Sequence, residues 1–90
     1  MPYIPQQDRA RLEPFLSALR SEVDRSGLSN GELNYLVTRL GCLYFARHGE
    51  SYNTISDVVK AFECAKLELY ARVARPYEDK KCSQNGDVYP

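Results

Sequence analysis

An all-α fold, a small antiparallel three-helix bundle with a short N-terminal arm and a polar C-terminal tail, is what three observations predict. Three segments repeat apolar residues with the period of a helix. Each is bracketed by a cap or proline at its start and by glycine or proline at its end. No segment alternates apolar and polar residues as a half-buried strand would. The 90 residues are expected to form a single domain, 1–90, with helices near 13–26, 30–48 and 54–75 and a tail over 76–90.

The elements follow in order. Pro2 and Pro5 keep the arm extended or turned, and Gln6 to Leu12 add at most a short helical turn. Pro14 fits the first turn of the first helix, which Gly27 stops. Its apolar positions are Leu12, Phe15, Leu16, Leu19 and Val23, one stripe on one side. Ser29-Asn30-Gly31-Glu32 is a capping-box sequence for the second helix, which ends at His48 before Gly49. Thr54-Ile55-Ser56-Asp57 offers a cap for the third, with Asp57 placed to favour the helix dipole. Pro76 ends that helix. The tail is polar, with Asn85-Gly86 as a turn and room for a short turn around Glu78 to Cys82. A short connection makes the second and third helices a hairpin, with Leu40 expected near Phe62 and Leu33 near Leu69.

Charge and composition narrow the function classes. Lys and Arg number 12 and Asp and Glu 12, so no basic surplus is available to neutralise a phosphate backbone, which argues against nucleic-acid binding. No run approaches the ~18 apolar residues of a membrane span. The opening residues carry no apolar run, so no signal peptide is expected. Cys42, Cys64 and Cys82 are odd in number and show no C-x-x-C spacing, which points to reduced thiols in a cytosol. With one histidine, His48, no metal site is expected, nor any cofactor. His48 is placed to assist a helix C-terminus. No nucleophile elbow, P-loop or G-x-G-x-x-G is present, so no enzyme activity is expected.

Two departures from a plain bundle supply the candidate functional residues. On the second helix Leu33, Leu36, Val37, Leu40, Leu43 and Tyr44 make the core face. The opposite side carries Tyr35, Thr38, Cys42, Phe45 and Ala46, with Arg39 at its edge, where charge is expected. A helix apolar on both sides has two partners. Tyr35, Cys42 and Phe45 are therefore the expected homo-oligomer interface, unless the N-terminal segment or tail covers them. On the third helix, Lys66 falls inside the stripe of Ile55, Val58, Val59, Phe62, Ala65, Leu69 and Val73. It either pairs with Glu63 or snorkels, or it is the cation of a binding site. In the second case Asn34, Tyr35, Arg39, Lys66 and Tyr70 would hold a small anionic, nucleotide-like ligand. Cations and an amide would meet phosphate and a ring would stack on a base. An Arg39–Glu63 ion pair is the competing role for those two residues.

The segments Met1-Pro2-Tyr3-Ile4, Asp8-Arg9, Gly31-Glu32-Leu33-Asn34-Tyr35, Glu63-Cys64-Ala65-Lys66-Leu67-Glu68-Leu69-Tyr70 and Pro76-Tyr77-Glu78-Asp79-Lys80 span nearly the whole chain. They resemble a family of small uncharacterised proteins of bacteria and their phages. The resemblance implies a bacterial or phage cytosolic setting and transfers no catalytic residues. By analogy between classes of phage protein, a sponge sequestering a nucleotide immune signal is one expected mode of action. A protein–protein interaction module acting on a host or self partner is the other.

Overall fold

Local capping decides most helix ends in the computed structural model, which describes residues 2–90; Met1, the first residue of the Met1-Pro2-Tyr3-Ile4 motif, lies outside them. The described residues are all helix and connection, with no strand among them. Two compact units divide the chain, residues 2–58 and residues 59–90.

The first unit holds α1 (Gln6–Ser26), α2 (Asn30–His48) and the beginning of α3 (Tyr52–Leu69). α1 starts a full two turns earlier than the prolines suggest, and Pro14 lies inside it. The Pro5 carbonyl accepts from Asp8 N at 3.0 Å and Arg9 N at 3.2 Å. The residues ahead of Pro14 (Gln, Gln, Asp, Arg, Ala, Arg, Leu, Glu) include strong helix formers. They close their own turns, and only the Ala10 carbonyl loses the donor that Pro14 cannot supply. At the other end Gly27, at φ +76°, donates its N–H to the Val23 carbonyl. That left-handed geometry is the one glycine adopts without a Cβ penalty.

α2 carries the reciprocal capping box. Glu32 N donates to Ser29 Oγ (3.1 Å) and Ser29 N donates to Glu32 Oε1 (2.8 Å). The Ser29 backbone N–H, more than its side chain, holds the Glu32 carboxyl below its ordinary value. α3 begins at Tyr52 rather than Thr54, because Ser51 caps it. Thr54 N donates to Ser51 Oγ and Ser51 N to Thr54 Oγ1. Asp57 is thereby carried beyond the first turn, and it accepts from the Tyr44 hydroxyl at 3.2 Å. This bond ties α2 to the start of α3. Burial, then the nearby Asp57 charge, raise the Tyr44 phenol above its ordinary value.

Among the described residues Gly41 and Val58 are the buried ones, and in the same unit Val23, Leu36, Phe45 and Thr54 are half-buried. The face of α2 read as core is mostly outside: Leu40 and Leu43 are 62% and 61% exposed. α2 is turned so that Gly41 is withdrawn from solvent and Leu36 and Phe45 are partly so, while Leu40 and Leu43 stand open.

The second unit is nearly continuous helix. α3 runs to Leu69, a π-turn spans Tyr70–Ala74, and α4 (Arg75–Asn85) follows. Pro76 does not end the helix, and the segment read as tail is an 11-residue helix. The physical reason lies in the π-turn. Arg75 N donates to the Tyr70 carbonyl, five residues back, so the chain widens just where the Pro76 ring would crowd a normal turn. Arg75 then pairs with Asp79 (Nη2–Oδ1 2.7 Å), and Gly86 at φ +92° closes α4.

Candidate functional site

On α2, three of the expected ligand residues sit together. Asn34 and Tyr35 are neighbours, and Arg39 stands one turn on. Thr38 Oγ1 donates to the Asn34 carbonyl (2.9 Å), which leaves that turn back-bonded. The Arg39 guanidinium carbon lies 5.9 Å from the centre of the exposed Tyr35 ring, a cation–π distance, with Nη1 3.5 Å from its hydroxyl. Of the expected interface trio, Tyr35 and Cys42 are exposed and Phe45 is half-buried.

Lys66 and Tyr70 belong to the second unit. Lys66 Nζ lies 3.3 Å from Glu63 Oε1, one turn back, and both side chains are more than half exposed. The lysine is thus paired along its own helix, and its position in the apolar stripe costs no buried charge. Tyr70 opens the π-turn and lines two recesses. A shallow one of about 270 Å³ is formed by Lys66, Leu69, Tyr70, Val73 and Ala74. A larger one of about 540 Å³ lies along α4, with Tyr70, Arg75, Glu78, Lys81, Asn85 and Tyr89 in its wall. The chain after Gly86 forms its outer side, where Tyr89 N donates to Asp87 Oδ1 (2.9 Å). This recess is not visible in the sequence, where residues 76–90 read as a polar tail. The signal available was the spacing of Ala74, Glu78, Cys82 and Asn85, which recur at helical period and place one polar face beside Tyr70.

The most extensive feature is apolar. Phe15 is 71% exposed, Leu16 more than half, and Leu33, Leu40 and Leu43 stand open on α2. In the second unit Val59, Leu69 and Val73 do the same. No helix among the described residues is long and apolar enough to cross a membrane.

Comparison with the curated proteins and with the solved structures finds no match. The match that exists is to a family model covering residues 1–88, almost the whole chain, in keeping with the resemblance its motifs carry. The chain belongs to the family described as domain of unknown function DUF6899.

Proposed function

We propose that this protein acts by binding rather than by chemistry, as a self-associating helical protein. Its assembly surface would be the open apolar side of α1 and α2. The observation that carries this reading is the exposure of Leu12, Phe15, Leu16 and Leu19 on α1 and of Leu33, Leu40 and Leu43 on α2. At roughly half of ~200 Å² each, these seven offer on the order of 700 Å², above the largest patch of a typical monomer and close to one partner's share of a stable interface. Balanced charge favours copies of the chain over a strongly charged partner, because like copies do not repel. The resemblance supports a bacterial or phage cytosolic setting for this association.

Light scattering at micromolar concentration tests it. The wild type should be a dimer or larger, and Phe15→Glu with Leu40→Glu should return it to a monomer that keeps its helix content. A wild-type monomer would end the proposal.

A second reading, that assembly serves to hold a small anionic, ring-bearing ligand, rests on the exposed Arg39–Tyr35 stack beside Asn34. Its test is a thermal-shift screen of nucleotides and cyclic dinucleotides. A shift lost in Arg39→Ala supports it, and no shift across the panel removes it.

A further inference from the structure

The large apolar residues exposed on α1 are Leu12, Phe15, Leu16 and Leu19, separated by three, one and three residues. That spacing reads the same in both directions. Exposure follows it: 71% and 53% at the central pair, Phe15 and Leu16, and 37% and 38% at the outer pair, Leu12 and Leu19. At 100° per residue, Leu12 and Leu19 lie within about 10° of the midline of the stripe, and Phe15 and Leu16 about 50° to either side. Ala10, Pro14, Ser17 and Ser21 fall on the back of the helix, so the interior proline does not intrude on this face.

The charges of α1 are mirrored too, with the sign reversed. Asp8 answers to Arg25, Arg9 to Asp24, Arg11 to Glu22 and Glu13 to Arg20. This mirror point and that of the apolar stripe are one residue apart, about 1.5 Å along the axis, well within the reach of these side chains. Arg11 and Glu22 lie along one edge of the stripe, Glu13 and Arg20 along the other.

We infer that α1 is the docking site for α1 of a second copy, the two helices antiparallel about a two-fold axis that passes between Phe15 and Leu16. A two-fold contact uses the same patch on both partners, so the patch has to complement its own reverse. The α1 stripe does so in shape and in charge. Leu12 packs on Leu19 of the copy, and Phe15 and Leu16 each meet their own counterpart across the axis. Each edge runs beside the same edge reversed, which sets Arg11 beside Glu22 of the copy and Glu13 beside Arg20 of the copy, each pair occurring twice. Within the helix Arg20 already pairs with Asp24 (3.8 Å) and Arg25 with Glu22, but all four side chains are exposed, and such pairs are exchanged at little cost.

The inference rests on the association proposed above and names the helix that carries it. The contact uses one helix and therefore one compact unit. At roughly half of ~200 Å² each, the four apolar side chains offer on the order of 400 Å² from each copy, or 800 Å² from both. The stems of the flanking arginines add to this. That sets the contact at the small end of specific interfaces, so the dimer dissociates on dilution.

The test uses full-length chains in which Cys42, Cys64 and Cys82 are serine, with circular dichroism confirming the fold of each variant. Leu16→Cys alone, treated with a short bismaleimide, should link to its own copy and give a product of twice the chain mass. Leu12→Cys mixed with Leu19→Cys should do the same, while Leu12→Cys alone and Ser21→Cys alone, the second on the back of the helix, give little. As much product from Leu12→Cys alone as from the mixture would mean parallel helices and overturn the inference. Glu13→Arg should raise the dimer dissociation constant about fivefold, because two exposed pairs are lost, and adding Arg20→Glu should restore it. A double variant no tighter than Glu13→Arg overturns the antiparallel register. If light scattering reports an oligomer and none of the α1 positions links, another surface carries the assembly; the inference is then overturned and the association reading stands. A wild-type monomer at every concentration overturns both.

Discussion

Pro14→Ala separates two accounts of the first helix. In the structure Pro14 is the ninth residue of the 21-residue α1, its side chain is exposed, and the Ala10 carbonyl lies where its N–H would donate. An interior proline costs about 3 kcal/mol relative to alanine, from the lost bond and from ring crowding. The substitution loosens the unfolded chain and returns up to about 1 kcal/mol of that gain. A net stabilisation of about 2 kcal/mol remains, because no packing is lost at an exposed site. For a chain of this size that raises Tm by about 8 to 16 °C. The assay is thermal melting followed at 222 nm, at one fixed protein concentration, since association itself raises Tm. Were Pro14 instead in the first turn of a helix starting near residue 13, its missing N–H would cost nothing. Pro14→Ala would then be neutral or slightly destabilising. An unchanged or lower Tm would refute the continuous helix and restore the shorter one.

Other expectations concern the caps and the hairpin. Ser29→Ala removes the half of the capping box in which Ser29 Oγ accepts from Glu32 N, keeps the backbone donor to Glu32 Oε1, and should cost about 1 kcal/mol in urea unfolding. Because Glu32 is held below its ordinary carboxylate value, its contribution is present above pH 4.5 and is lost as pH falls through the lower folded value. Glu32→Gln, which has no titrating carboxyl, should flatten that acid limb, and Ser29→Ala should flatten it only in part because the larger cause, the backbone N–H, remains. Tyr44→Phe deletes the bond to Asp57 and should lower the urea midpoint slightly. The raised Tyr44 phenol reverses the sign: its contribution is complete below pH 10.0 and is lost as pH rises through the folded value. Ultraviolet titration of the phenols, wild type against Tyr44→Phe, should show one tyrosine ionising late. Pro76→Ala should let residues 70–75 relax toward an ordinary α-helix, read as backbone carbon chemical shifts. Persistence of the wide turn would mean that Pro76 is not its cause.

What was legible in the sequence was what is local. Ser29 and Glu32 are three residues apart and satisfy each other's backbone, so the start of α2 could be read directly. Gly27 and Gly49 mark helix ends for the same reason. The prolines misled in both directions. Pro14 and Pro76 look like boundaries, but one is carried inside a long helix and the other is accommodated by a π-turn four residues earlier. α4 escaped notice because a polar, exposed helix has no apolar stripe to announce it; its support is the Arg75–Asp79 pair and helix propensity. The orientation of α2 was not legible either. With apolar residues on both sides, its pattern does not say which is turned inward, and the absent side chain at Gly41 is easily passed over. Lys66 was visible as an oddity, and its pairing with Glu63 was one of the two roles open to it.

The π-turn has a consequence for the phase of everything beyond it. An ordinary helix advances 100° per residue. A turn closed by bonds five residues apart takes in one residue more than a normal turn does. Residues of α4 therefore project as though one position between 70 and 74 were missing, so Tyr77 and Lys81 lie at angles that counting along an unbroken helix from Lys66 would not give. An alignment that scores helical faces by sequence offset would put them on the wrong side. A relative lacking one residue in this segment could form a straight helix and present the same α4 face. A length difference at this point need not imply a different surface beyond it.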